Sequence, residues 1–181
     1  MKTKIFSVKD LCMMAVFTAV IIVMAQIIIP MPYGVPMTLQ TLAIPLTGIM
    51  LGSKKGALTT VIYVLLGAVG VPVFAGFAGG PGVVFGPTGG FIMSFPVLAY
   101  LTGYGAEKDN KWWLWTGLIS GVIINYLCGV IYFSFFTSNN LLTSFTVCVL
   151  VFIPTDIIKI IITGLFSIKV RNLLFAGNMV K

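Results

Sequence analysis

Apolar residues run with little interruption through most of this chain, and the breaks between runs carry the pattern. Residues 11–53, 56–106 and 112–155 contain no Asp, Glu, Lys or Arg. A helix crossing a hydrocarbon core of about 30 Å needs about 20 residues, with roughly 17–25 as the workable range. Punctuation cuts the chain into pieces of that order. A first span over 11–29 ends at the Pro-rich stretch 30–36, and a second over 37–52 stops at Lys54 and Lys55. A third over 56–71 ends at Pro72, a fourth covers 87–105, and a fifth covers 112–136. Residues 141–167 are too long for one simple span and too short for two. Proline suits the first turn of a helix and not its interior, so Pro154 starts a sixth span, 154–171. Residues 141–153 then form a short outer segment, helical or re-entrant, that need not cross.

Six spans place both termini on one side, and the charges agree. Lys2, Lys4 and Lys9 precede span one, Lys54 and Lys55 follow span two, and Lys108 and Lys111 follow span four. Lys169, Arg171 and Lys181 close the chain, so ten of the eleven basic residues fall on one side. The excess of Lys and Arg on inner loops makes that side cytoplasmic. Trp112, Trp113 and Trp115 open span five where an interfacial aromatic belt is expected. No small-residue cleavage pattern follows span one, so it is expected to be retained rather than removed as a signal peptide.

Composition sharpens the class. Of 181 residues, 59% are apolar and 8% charged, and the mean hydropathy is +1.10, against about 25% charged residues in soluble domains. This is the composition of an all-α integral membrane protein, one transmembrane domain over 1–181. With no histidine and three scattered cysteines (Cys12, Cys128, Cys148), no zinc, haem or iron–sulfur ligand set is expected. The cysteines read as small hydrophobes packed in helices. The net charge of +7 comes from short basic groups between apolar runs, which is membrane topology and not a nucleic-acid surface.

Two charges are unplaced by topology: Asp156 and Lys159 lie inside an apolar run, three apart, where helical side chains share a face. Each costs about 2.5–3.5 kcal/mol near the bilayer centre. Either they neutralise each other and tolerate burial, or they anchor a ligand, with the free N–H groups of a helix start favouring an anion. The second anomaly is the stretch 67–90, with nine glycines in twenty-four residues and Phe74, Phe77, Val83, Val84 and Phe85 where a linker would have serine or charge. A glycine-bent apolar cap over an outer cavity fits it better. Ala15 and Ala19, and Gly117 and Gly121, are small residues four apart that serve internal packing or a partner surface. Thr38, Gln40 and Asn125 add neutral hydrogen-bonding groups, Asn125 as interhelical glue or as part of a site.

Catalytic equipment is sparse, since Asp10, Glu107 and Asp109 sit at the cytoplasmic surface and Asp156 stands apart. A membrane-embedded enzyme and a proton-coupled carrier using Asp156 remain as alternatives. The inferred cavity suits a small, mostly apolar guest that is anionic at one end and polar at the other. The chain has no nucleotide-binding loop, so active transport would need an energising partner.

The blocks Val35-Pro36-x-Thr38-Leu39-Gln40-Thr41, Gly70-x-Pro72-Val73-Phe74-Ala75-Gly76, Gly86-Pro87-Thr88-Gly89-Gly90 and Pro154-x-Asp156-x-x-Lys159 resemble the BioY family. These are the biotin-specific substrate-binding (S) components of energy-coupling factor (ECF) transporters. The resemblance implies a six-helix bundle in the bacterial cell membrane that takes biotin from outside. It implies partnership with a transmembrane coupling (T) component and two cytoplasmic ABC-type ATPases, and it leaves open a homo-oligomer without a dedicated module. Ala15-x-x-x-Ala19 matches the family's docking motif. No cofactor is expected, biotin being the transported ligand. Residues and resemblance together name Asp156, Lys159, Thr38, Gln40, Phe74, Ala75, Gly76, Gly79, Gly86, Thr88, Gly89, Asn125 and Tyr126 as the site, with the glycine-rich stretch closing over it. The alternatives are an S component for another small vitamin and an ion-coupled carrier of a small organic anion.

Overall fold

The computed structural model describes residues 6–31, 35–108 and 110–176. Lys2, Lys4, Asp109 and Lys181 of the charge map, and Pro32, Tyr33 and Gly34 of the Pro-rich stretch, lie outside the described residues. The first helix, α1 (Val8–Ala25), starts in a capping box: the Lys9 amide donates to Ser7 Oγ and the Ser7 amide to Asp10 Oδ2. It ends four residues earlier than the expected span. Ile28–Ile29 (β1) instead pairs antiparallel with Met37–Thr38 (β2), Ile28 opposite Thr38. β-Branched isoleucines accept either conformation, and hydropathy is blind to the change.

Helix α2 (Gln40–Leu51) contains Pro45 and is twelve residues long, about 18 Å. A one-residue joint at Gly52, with φ of 83°, leads into α3 (Ser53–Ala68). Only glycine enters that left-handed geometry without strain. Lys54 and Lys55, expected between spans, therefore lie in the first turn of α3. Glu107 caps that turn, its Oε1 accepting from the Ser53 amide at 2.7 Å and the Ser53 hydroxyl at 2.8 Å. Residues 69–88 hold a 3-10 turn (Ala75–Phe77) and a short helix, α4 (Pro81–Val84), with proline in its first turn.

Helices α5 (Gly89–Glu107) and α6 (Lys111–Thr137) form the most extensive helix pair. Gly117 sits on the Leu101 carbonyl and Gly105, and Gly121 on Leu98, so this glycine pair serves internal packing. Residues 141–153, left open between helical and re-entrant, are helical: α7 (Leu141–Phe145), capped by the Asn140 side chain, runs into a π-helical turn, Thr146–Leu150. A 47° bend then leads into α8 (Ile153–Ala176). Among the described residues, α1 and α6 are long and apolar enough to cross a membrane, and the bent pair around residue 151 adds a third candidate. At one end the Lys55–Asp10 ion pair, 2.6 Å, joins α3 to α1, and the Glu107 cap joins α5 to α3. At the other end the core opens into a cavity.

Candidate ligand-binding site

The cavity encloses about 220 Å³, a small-molecule volume just under the range of drug-sized sites. The approach to α2 supplies Val35, Met37, Thr38, Gln40 and Thr41, and the glycine-rich segment supplies Phe74, Ala75, Val83 and Thr88. From α5 come Phe91, Ile92 and Phe95, from α6 Asn125 and Tyr126, and from the last arm Cys148, Phe152, Asp156 and Lys159. Aromatic walls thus surround one cation, one anion and a few neutral polar groups.

The ion pair is organised by three elements. Lys159 Nζ donates to Asp156 Oδ1 at 2.7 Å, to the Thr38 carbonyl at 2.8 Å and to Thr41 Oγ1 at 3.0 Å. Thr41 Oγ1 in turn donates to Asp156 Oδ1 at 3.1 Å, and the Tyr126 hydroxyl donates to Asp156 Oδ2. Asp156 is 4% exposed and Lys159 7%. Burying one charge without these partners would be prohibitive. The ammonium's three protons are all directed, so a ligand must share or exchange partners that already exist. The Asp156 amide itself is not free for an anion, because it donates to the Phe152 carbonyl at 2.9 Å.

Thr38 and Gln40 extend the polar wall. Thr38 Oγ1 donates to Gln40 Oε1 at 2.8 Å, and Gln40 Nε2 donates to the Tyr63 hydroxyl at 2.6 Å. Tyr63, fully buried, donates in turn to the Val73 carbonyl at 3.2 Å. Asn125 Nδ2 reaches Ser94 Oγ at 2.7 Å and the Phe91 carbonyl at 3.0 Å. It is interhelical glue between α6 and α5 and a cavity residue at once.

Nine of the thirteen residues named from the sequence come together here: Thr38, Gln40, Phe74, Ala75, Thr88, Asn125, Tyr126, Asp156 and Lys159. Gly76, Gly79, Gly86 and Gly89 do not line the cavity. Gly79, Gly86 and Gly89 lie hard against the carbonyls of Val71, Gly82 and Val84, and Gly76 takes a φ of 70° in the turn. They shape the segment and leave the cavity lining to its other residues. Phe91, Phe95, Phe152 and Met37 carried no signal, because aromatic and aliphatic residues in an apolar run read alike whether they face lipid or cavity. Thr41 had a signal, as the last position of the Thr-Leu-Gln-Thr block at the start of α2. Cys148 is buried as expected and also lines the cavity, while Cys12 and Cys128 are exposed. Ala15 and Ala19 lie on the exposed side of α1.

Among the described residues no three His, Cys, Asp or Glu gather as a metal site. The arrangement can hold an amphipathic molecule by its rings while hydrogen-bonding its polar ends. Comparison with known proteins agrees with that chemistry. A protein from Thermotoga maritima named biotin transporter BioY is 38% identical over 167 residues, covering 91% of this chain and 97% of its own. A probable biotin transporter BioY from Pyrococcus horikoshii is 39% identical over 151 residues, covering 83% and 89%. The crystal structure of the S-component for biotin from an ECF-type ABC transporter superposes with a TM-score of 0.84 at 32% identity, over 91% of this chain and 92% of that one. The family profile described as BioY matches residues 1–176. Together with the buried Asp156–Lys159 pair and the motif blocks around it, that match means that the chain belongs to the BioY family.

Proposed function

We propose that this protein is the membrane-embedded, biotin-binding S component of an ECF-type ABC transporter. In this reading six membrane passes place both termini in the cytoplasm, and the glycine-rich segment caps a cavity that faces outward. A transmembrane coupling component and two cytoplasmic ATPases supply the energy, with docking at Ala15 and Ala19. Biotin suits the site chemically. Its fused rings pack between Phe74, Tyr126 and the α5 phenylalanines, its ureido N–H and C=O groups find acceptors and donors, and its carboxylate finds a cation. Lys159 meets an anionic or carbonyl oxygen of the ligand, and Asp156 accepts a ureido N–H or orients Lys159. Thr38, Gln40 and Asn125 complete the polar wall. Gly76, Gly79, Gly86 and Gly89 act through the shape of the cap.

The observation that carries this reading is the hydrogen-bonded Asp156–Lys159 pair at the wall of an otherwise apolar cavity, in a chain whose relatives bear the names of biotin transporters. Titration calorimetry of the purified protein tests it. Biotin is expected to bind at one site per chain, whereas other small vitamins give no heat. Binding of another vitamin with no response to biotin overturns the substrate. Uptake into liposomes that contain this chain alone, driven by a pH gradient, overturns the energising partnership.

A further inference from the structure

We infer that Gln26 is a positioning residue, a side-chain latch that holds the roof of the cavity, residues 73–77, against the end of α1. Gln26 caps α1, its amide N–H donating to the Val23 carbonyl at 3.1 Å. Its side chain reaches across to the glycine-rich segment. Nε2 donates to the Phe74 carbonyl at 3.1 Å and leans toward the Val73 carbonyl at 3.4 Å, while also touching the Ile22 carbonyl at 3.1 Å. Oε1 accepts from the Phe77 amide at 2.8 Å. Both faces of one carboxamide are thus used on one loop, and the partners dictate its orientation: carbonyls against the NH₂, an N–H against the oxygen.

What it holds is a strained turn. Gly76 and Phe77 have φ of 70° and 55°, and a non-glycine residue in the left-handed region persists only where its surroundings over-determine it. The Phe77 side chain is exposed, so the hydrogen bond from its backbone N–H to Gln26 Oε1 is the contact that holds this residue. The turn closes on itself through the Phe74 amide and Ala78 carbonyl, 2.9 Å. Phe74 at its foot is buried and lines the cavity. On the far side of the same strip the Tyr63 hydroxyl takes the Val73 carbonyl. The roof is therefore hung from two points, Gln26 on α1 and Tyr63 on α3. The second point continues through Gln40 and Thr38 to Lys159, so one hydrogen-bonded chain joins α1 to the buried ion pair.

Gln26→Met keeps length and bulk and removes the side-chain N–H donors and the carbonyl acceptor. Roof opening has a reporter that needs no ligand. Cys148 is fully buried and lines the cavity, and in a Cys12→Ala/Cys128→Ala background alkylation by N-ethylmaleimide in detergent measures access to it. The inference rests on the proposed function only for the use of biotin as a second probe. Gln26→Met is expected to speed Cys148 alkylation about tenfold, equivalent to about 1.4 kcal/mol. Biotin dissociation is expected to accelerate by a similar factor with association changed less than about twofold, and the ligand-free melting midpoint to stay in place. An unchanged alkylation rate overturns the latch. So does a faster rate accompanied by a proportionate fall in the midpoint, which means that the whole bundle has loosened. If biotin neither binds nor protects Cys148 in the unsubstituted protein, the proposed substrate fails while alkylation still decides the latch.

Discussion

A lysine survives in this apolar chain because three acceptors meet its three protons, and that arithmetic sets the strongest expectations at the scale of single residues. Removing the Lys159 ammonium leaves Asp156 with only the Thr41 and Tyr126 hydroxyls. Replacing Asp156 by Asn leaves the ammonium uncompensated. Each of Lys159→Ala and Asp156→Asn is expected to weaken biotin binding at least about tenfold, or about 1.4 kcal/mol. The double variant should lose less than the sum, because both residues belong to one network. Titration calorimetry beside a melting curve checks this, and unchanged binding in both single variants removes the pair from the site. Thr163 and Ser167 continue the same buried stripe of α8, and their hydroxyls alone among the described buried side-chain oxygens and nitrogens have no partner. The comparable Thr18, Thr47, Thr60 and Thr102 all donate back to the carbonyl four residues earlier. An unmet buried hydroxyl costs about 1–3 kcal/mol, so Thr163→Val should raise the melting midpoint and leave biotin binding unchanged. Asp156 and Lys159 were legible in the sequence because a charge in oil is conspicuous. Thr163, Ser167 and Gln26 were not, because a hydroxyl or amide in an apolar run says nothing of its partners until the helices are placed.

At the scale of elements, breakers were legible and conformational changes within apolar runs were not. Pro72, Pro154 and the Lys54–Lys55 pair marked real boundaries to within a few residues, whereas the passage from α1 into β1 at residues 26–28 leaves no trace in hydropathy. The α2–α3 joint falls at Gly52, where the second span was expected to end, but it is shorter than the expected break. A single left-handed glycine suffices there, so the lysines belong to a helix and not to a loop. The glycine-rich stretch was legible as a bent segment, but Gly67, Gly79, Gly86, Gly89 and Gly90 answer to close approach and Gly70, Gly76 and Gly80 to positive φ. Gly67 shows the close approach most clearly. The Phe74 ring lies directly over its Cα, and a Cβ there would occupy the space of the ring, which also packs edge-on against Tyr63 with centroids 5.5 Å apart. Gly67→Ala is therefore expected to push Phe74 toward the cavity, lowering stability by roughly 1–3 kcal/mol, as overpacking does, and weakening biotin binding with it. Gly82→Ala, at a position with open space around it, is the matched control and should change neither. Thermal unfolding and calorimetry on the two variants separate close packing from a general need for glycine in this segment.

At the scale of the whole molecule, the first helix joins the proposed docking face to the glycine-rich segment. One face of α1 buries Met14, Thr18, Ile21 and Ala25, while Ala15 and Ala19 lie exposed beside the large apolar residues Leu11, Val16 and Val23. Two alanines one turn apart make a shallow lane on that face, and small residues let a second helix come close where hydrophobicity gives no drive to associate. The foot of α1 is tied to α3 by Asp10 and Lys55, and its head holds the roof through Gln26. From Ala19 to Gln26 is about 10 Å along the axis, so a partner docked as proposed would touch the same element that carries the proposed latch. Filling the lane tests the arrangement. Ala15→Leu or Ala19→Leu places its side chain on the exposed face and not in this chain's core, so folding and biotin binding by the isolated protein should be unaffected. Energised uptake in cells that contain the coupling component and ATPases should be abolished, because the added side chain holds the partner helix away. Normal uptake by both variants would make this face ordinary lipid contact. Loss of binding by the isolated protein would make it part of the fold. Loss of uptake with binding intact is the outcome expected if docking and ligand capture are separate tasks joined through one helix.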